Sequence, residues 1–175
     1  PFVCLNMANE YYPGGGYTEG CSAQEENMFR RTDAHFTLDS TNLAKQGCEV
    51  VYADTMNALV SGKLGVNYIS AKPLVCIKGK EVFAADDLGY KMLADDEIFF
   101  FYELRSAAVD RSRKRKASHA RDLGEMEKRV EAQFATLIAN GIRHVVLSAF
   151  GCGAFENDPS EIAWVYKQAV ERHRA

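Results

Sequence analysis

The sequence predicts an α/β fold, a mixed sheet with helices on both faces, and three observations lead there. In the last third, apolar runs at Ile98–Ala107 and Val145–Phe150 alternate with two stretches of helical periodicity. A βαβ arrangement of that kind carries a right-handed crossover. Two glycine loops, Gly14-Gly15-Gly16 and Gly151-Cys152-Gly153, each fall between a strand and a helix. Open α/β sheets bind their ligands in such places, outside the strand C-termini. Finally, 175 residues with 47% hydrophobic content suit one domain, residues 1–175, with a buried core.

The elements follow in order. Phe2–Ala8 is a short apolar strand, broken by Asn9-Glu10-Tyr11-Tyr12-Pro13 and the first glycines. A helix is expected from Ser22 to His35, with Ser22 as cap and Gln24, Glu25 and Glu26 in its first turn. Thr41–Gln46 reads as a short helix, and Glu49–Ala53, Val66–Ser70 and Leu74–Ile77 as strands. Lys78–Glu81 reads as a hairpin turn returning through Val82–Ala84, and Asp86–Glu97 as mostly loop. Ile98–Tyr102, the longest strongly apolar stretch, is expected to be a buried strand. Leu123, Met126, Val130, Phe134, Leu137 and Ile138 mark the next helix, which Gly141 caps. Asp158 as N-cap and Pro159 at N1 open the last helix, whose apolar face is Ile162, Val165, Tyr166, Ala169 and Val170.

Composition excludes several classes. A formal net charge of -3 rules out a generally basic coat, so direct binding of nucleic acid is not expected. No run of 18 apolar residues is present, so no helical span or membrane partner is expected. The five cysteines are widely spaced and lack a C-x-x-C pair, which argues for buried thiols in a reducing, intracellular compartment. The cytoplasm is the expected location, with the nucleus as the alternative. The chain opens inside a strand without Met or a basic leader, so its N-terminus is expected to be truncated. The basic run Arg111, Arg113, Lys114, Arg115, Lys116, His119 and Arg121 reads as a solvated helix face. A nuclear-import tract and a polyanion contact are its sharper readings. His144 and His173 receive no role, and Trp164 is expected to pack.

The glycine loops carry the chemistry. Glycine lets a backbone approach a ligand closely. Successive free N–H groups near a helix start make an anion site, so the two loops suit two phosphates or one diphosphate gripped from both sides. Ordinary tight turns are the competing reading. Seven residues after Gly16 comes Gln24-Glu25-Glu26. Acidic residues favour a first helical turn through the dipole alone. Beside a ligand loop, one carboxylate faces the ligand and the other flanks it.

Gly14-Gly15-Gly16, the seven-residue gap and Gln24-Glu25-Glu26 resemble the signature of the poly(ADP-ribose) glycohydrolases. The stretch from Asn6-Met7-Ala8-Asn9 through Gly20-Cys21-Ser22-Ala23 to Arg30-Arg31 resembles their microbial-type branch. Val146–Pro159 is similar to that branch's second loop, while Ser70–Pro73 and Ser106–Ala108 only echo the family. The matches cover roughly half of the chain in the right order. The chain departs from the family at Phe150 (often Trp), Glu156 (often Gly) and Val109-Asp110 (often Pro-Asn).

The resemblance implies a macrodomain-like fold and hydrolysis of ribose–ribose O-glycosidic bonds, with no cofactor and no metal. It implies Glu26 as general acid/base and Glu25 as a contact to the ribose hydroxyls of the leaving unit. Gly14, Gly15 and Gly16 would line the diphosphate and distal ribose, and Gln24, of the same motif, would also contact the substrate. Gly151, Gly153 and Ala154 would close over the diphosphate, and Phe155 and Asn9 would meet the distal ribose. The implied partner is ADP-ribose polymer or an ADP-ribosylated protein. An ADP-ribose-binding module without turnover and a mono-ADP-ribosyl-protein hydrolase are the alternatives.

Overall fold

The computed structural model describes residues 2–84, 87–112 and 119–174. Its elements are β1 (Val3–Met7), α1 (Gln24–Arg31), β2 (Leu43–Gln46), β3 (Glu49–Tyr52), α2 (Asp54–Val60), β4 (Tyr68–Ile69) and β5 (Leu74–Cys76). They continue with β6 (Lys78–Ala84), β7 (Asp87–Met92), β8 (Phe99–Ser106), α3 (His119–Ala139), β9 (Val145–Val146) and α4 (Pro159–Arg172).

The main sheet is mixed, as the sequence predicts. β1 pairs parallel with β8 over its whole length, Val3 opposite Tyr102 and Met7 opposite Ser106. On its other side it pairs parallel with β9. β4 and β5 both run antiparallel to β8. Alternation along β1 and β8 gives the sheet two apolar faces. Val3, Leu5 and Leu104 pack under Met126, Val130 and Leu137 of α3 and Ile162, Val165 and Ala169 of α4. On the opposite face, Phe101, Leu74 and Cys76 meet Met28 and Phe29 of α1. Ala8 and Ala107 meet Tyr52, Met56 and Val60 around α2. Each fully buried aliphatic or aromatic side chain contributes roughly 1.5–3 kcal/mol, so these clusters hold the sheet between its helices.

Gly141 has φ 63° after α3, and Asp158 caps α4 by accepting from Ser160 N and Glu161 N, both as expected. Other expectations are corrected. α1 ends at Arg31 because Thr32 turns its chain to bridge Cys76, and a 3-10 turn at Ala34–Thr37 follows. Ser22 does not cap it; Ala23 stands at the cap with no side-chain bond. Of the expected Thr41–Gln46 helix only Thr41 and Asn42 are helical, in a 3-10 turn over Ser40–Asn42, and Leu43–Gln46 instead pairs antiparallel with Glu49–Tyr52. α2 was hidden in sequence by its shortness. Lys78–Glu81 is strand, not turn: it belongs to β6, which pairs antiparallel with β7 over Asp87–Met92, and residues 85–86 lie outside the described residues. The strand after Arg143 stops at Val146.

Burial corrects several side chains. Phe99 and Phe100 are exposed, although both are paired with β5. Trp164, Ile138 and Val170 are also exposed. Cys76 is buried and Cys4 and Cys152 half-buried, but Cys21 and Cys48 are exposed. His144 is exposed, and His173 pairs with Glu131 and stacks on Phe134. Of the basic run, Arg111 bonds Glu161; Arg113–Lys116 and the side chains of His119 and Arg121 lie outside the described residues. No helix among the described residues is long and apolar enough to cross a membrane.

Candidate active site

Glu25 and Glu26 stand in the first turn of α1, and the loop before them folds back to hold them. Glu25 is 3% exposed. Its Oε2 accepts from Asn9 N at 2.6 Å and its Oε1 from Gly14 N at 3.1 Å. Glu26 Oε1 accepts from Gly16 N at 3.1 Å. Its Oε2 is buried and, among the described residues, has no partner. The side chain of Gln24 bonds to β1. Its amide accepts from Met7 N and donates to Leu5 O, continuing the ladder of β1 where β9 has stopped.

The first glycine loop therefore differs from the expected row of free N–H groups. Gly14 N and Gly16 N donate to the two glutamates, and Gly15 N to Tyr12 O at 3.0 Å. The acceptors that this loop holds are the protein's own carboxyl groups. Gly14 (φ +81°) and Gly15 (φ +55°) occupy left-handed backbone, which glycine alone adopts readily. A Cβ at Gly15 would collide with the Glu26 carboxylate and lie 3.3 Å from Glu25 Oε2, so both acids meet at this one glycine. Asn9 Oδ1 accepts from Tyr11 N and Tyr12 N, which forms the turn into the loop.

Burial pushes the Glu25 carboxyl up to about 8, against the backbone N–H of Asn9, the Arg105 guanidinium and the N–H of Gly14. Arg105 is itself buried, bidentate to Glu103, and enclosed by the rings of Phe29, Tyr52 and Tyr68. A carboxyl that titrates higher folded than unfolded stabilises most below its unfolded value, near 4.5, and least above about 8. The midpoint of urea unfolding should accordingly fall between pH 5 and pH 8. The Glu25 share of that loss is on the order of a few kcal/mol. Comparing the wild type with Glu25→Gln at both pH values checks this; an equal fall in the variant would remove Glu25 as its cause.

The second loop follows β9, so both loops lie at the C-terminal ends of neighbouring parallel strands. Among the described residues, the N–H groups of Gly151, Gly153, Ala154 and Phe155 donate to nothing. Cys152 N, Glu156 N and Asn157 N close the loop on Ala149 O, Gly153 O and Gly151 O. The Asn157 amide donates to Val109 O at 2.8 Å and Gly151 O at 3.0 Å. Gly151 (φ +72°) has no room for a side chain between Ala108 and Asn157. Phe155 packs half-buried on the α3 and α4 core. Glu156 has φ 53°, a backbone that favours the glycine the family often has there. The two loops thus divide the work, one orienting carboxylates and the other presenting open donors.

Sequence reading missed Glu10, Arg129, Asn157 and the Glu103–Arg105 pair. Arg129 carried a signal: it lies in the buried stripe of α3, three residues after Met126.

Residues 1–57 match the family model described as the microbial-type PARG catalytic domain. That segment holds the first loop and both carboxylates but not the second loop. No curated protein matches the chain. Among solved structures it is similar to poly(ADP-ribose) glycohydrolase from Deinococcus radiodurans in complex with ADP-ribose, at TM-score 0.70 and 22% identity over 97% of this chain and 62% of that one. It is also similar to the Thermomonospora curvata enzyme bound to the inhibitor ADP-HPD, at TM-score 0.67 and 22% identity over 94% of this chain and 56% of that one. The chain thus spans less than two thirds of the length of these neighbours. By sequence over residues 1–57 the chain matches the microbial-type poly(ADP-ribose) glycohydrolases, and over nearly its whole length it has their fold.

Proposed function

We propose that this chain is a glycohydrolase domain that cleaves ribose–ribose O-glycosidic bonds of poly(ADP-ribose) and releases ADP-ribose. One observation carries the reading: Glu26 is held by Gly16 N through one oxygen, while the other is buried and unpartnered. A general acid/base needs that combination of fixed position and a free atom. The Glu26 proton passes to the departing ribose oxygen as the anomeric carbon–oxygen bond breaks, the bonding electrons leaving with that oxygen. Water adds to the oxocarbenium-like centre and returns a proton to the carboxylate. Glu25 contacts ribose hydroxyls through lone pairs not given to Asn9 and Gly14. The open N–H groups of Gly151, Gly153 and Ala154 grip the diphosphate, with Phe155 against the distal ribose. Gly14, Gly15 and Gly16 shape the wall beside it, with Asn9 at its rim. The substrate is polymer or an ADP-ribosylated protein, met inside the cell and most naturally in the cytoplasm.

A thermal shift tests the pocket. ADP-ribose should raise the melting temperature by mass action, by an amount that grows with the logarithm of its concentration. A flat response at millimolar ADP-ribose would remove the reading.

A further inference from the structure

We propose that Arg129 is a positioning residue: its guanidinium sets the loop that holds the two carboxylates at a fixed distance from the loop that follows β9. The activity arm of this proposal rests on the function proposed above; its structural arm does not.

Arg129 projects from the buried stripe of α3 and joins two segments that are far apart in sequence. One terminal nitrogen donates to Glu10 Oε2 at 3.1 Å. The other donates to Ala107 O at 2.8 Å and Ala108 O at 3.2 Å, just past the end of β8. Glu10 is the neighbour of Asn9, whose N–H holds Glu25. It is fixed further by Lys63 at 3.4 Å, and its carbonyl by the Asn57 amide at 2.7 Å. On the other side, Ala108 lies against Gly151, and Val109 O takes the Asn157 amide that also donates to Gly151 O. A continuous line of contacts therefore runs from Glu10 through Arg129 and the end of β8 to the second loop.

A buried guanidinium is a costly way to fill space, and an apolar residue of similar volume often serves stability as well or better. What the planar fork adds is simultaneous hold on a carboxylate and two carbonyls in a set geometry. In the proposed reaction the first loop places the carboxyl groups and the second grips the diphosphate of the same ligand, so their separation matters to chemistry. A misplacement of about 1 Å can cost roughly 10²-fold in rate.

The test compares Arg129→Met, Arg129→Lys and Glu10→Gln with Val130→Ala, a core variant one residue away that lowers stability without removing a hydrogen bond to either loop. Hydrogen exchange is read at Asn9, Gly14 and Gly16 and over 151–157, together with kcat and KM on ADP-ribose polymer. Arg129→Met should exchange faster at both loops and lose about 10²-fold in kcat, with KM changing less. Arg129→Lys should recover part of both, and Glu10→Gln, which leaves a partly exposed side chain in place, should loosen the first loop alone. Val130→Ala should leave loop exchange and kcat near wild type. Arg129→Met matching Val130→Ala in loop exchange would overturn the proposal. Should Arg129→Met fail to fold, Glu10→Gln decides in the same way: unchanged exchange at Asn9 and Gly14 refutes it. A wild type inert on polymer would sink the proposed function, while the exchange arm would still decide the role of Arg129.

Discussion

Replacing Glu26 by glutamine is expected to lower release of ADP-ribose from polymer by about 10²–10⁴-fold, the usual contribution of a general acid/base. The substitution suits the site. Glutamine keeps the oxygen that accepts from Gly16 N and places an amide where the unpartnered oxygen stands. Shape and anchoring survive, and the transferable proton is lost. Affinity for ADP-ribose should stay within a few-fold of wild type or tighten slightly. Polymer kinetics and calorimetric titration on the same folded protein separate the two effects. A parallel loss of affinity and stability would instead mark Glu26 as a structural residue.

A valine at position 15 should be nearly as damaging, for a reason that differs from the one sequence suggests. The loop's glycines first read as room for a phosphate, but a Cβ at Gly15 meets the Glu26 carboxylate. Gly15→Val therefore displaces the acid itself and weakens the loop's hold on Glu25, so turnover should fall roughly 10²-fold or more. The left-handed backbone at φ +55° adds about 1–2 kcal/mol of strain for any L side chain, and β-branching raises it. Denaturation curves gauge that strain, and polymer kinetics on the remaining folded protein gauge the displacement. If the folded variant turns over within a few-fold of wild type, Gly15 does not place Glu26.

The comparison of sequence and structure is uneven for physical reasons. A continuous apolar run located β8 and helical periodicity located α3 and α4, because each is long enough to show its pattern, and Asp158-Pro159 and Gly141 marked helix ends through backbone chemistry that any context preserves. Within residues 40–97, the strands expected at Glu49–Ala53, Val66–Ser70 and Leu74–Ile77 are present as β3, β4 and β5, whereas Leu43–Gln46, Lys78–Glu81 and Asp87–Met92 were misread because they pair in small hairpins, where register depends on the partner more than on local pattern. At the site, the spacing of the glycines and Gln24-Glu25-Glu26 identified which residues meet. It did not show that the glycine N–H groups would bind those glutamates, because both donors and acceptors come from one short segment that closes on itself. Gln24 was placed with the ligand contacts, whereas its amide completes the ladder of β1. Arg129 and Glu10 stand 119 residues apart, and a contact of that range leaves no local trace beyond a charge in an apolar stripe.

The central claim is that this chain hydrolyses the polymer with Glu26, and the most direct measurement is free ADP-ribose released from poly(ADP-ribose) by the wild type. The account predicts steady release over many turnovers, reduced to about a hundredth or less in Glu26→Gln under the same conditions. A wild type that binds ADP-ribose and releases none from polymer would contradict it. If that protein removes single units from ADP-ribosylated protein, the chain is a mono-ADP-ribosyl hydrolase; if it does neither, it is a binding module.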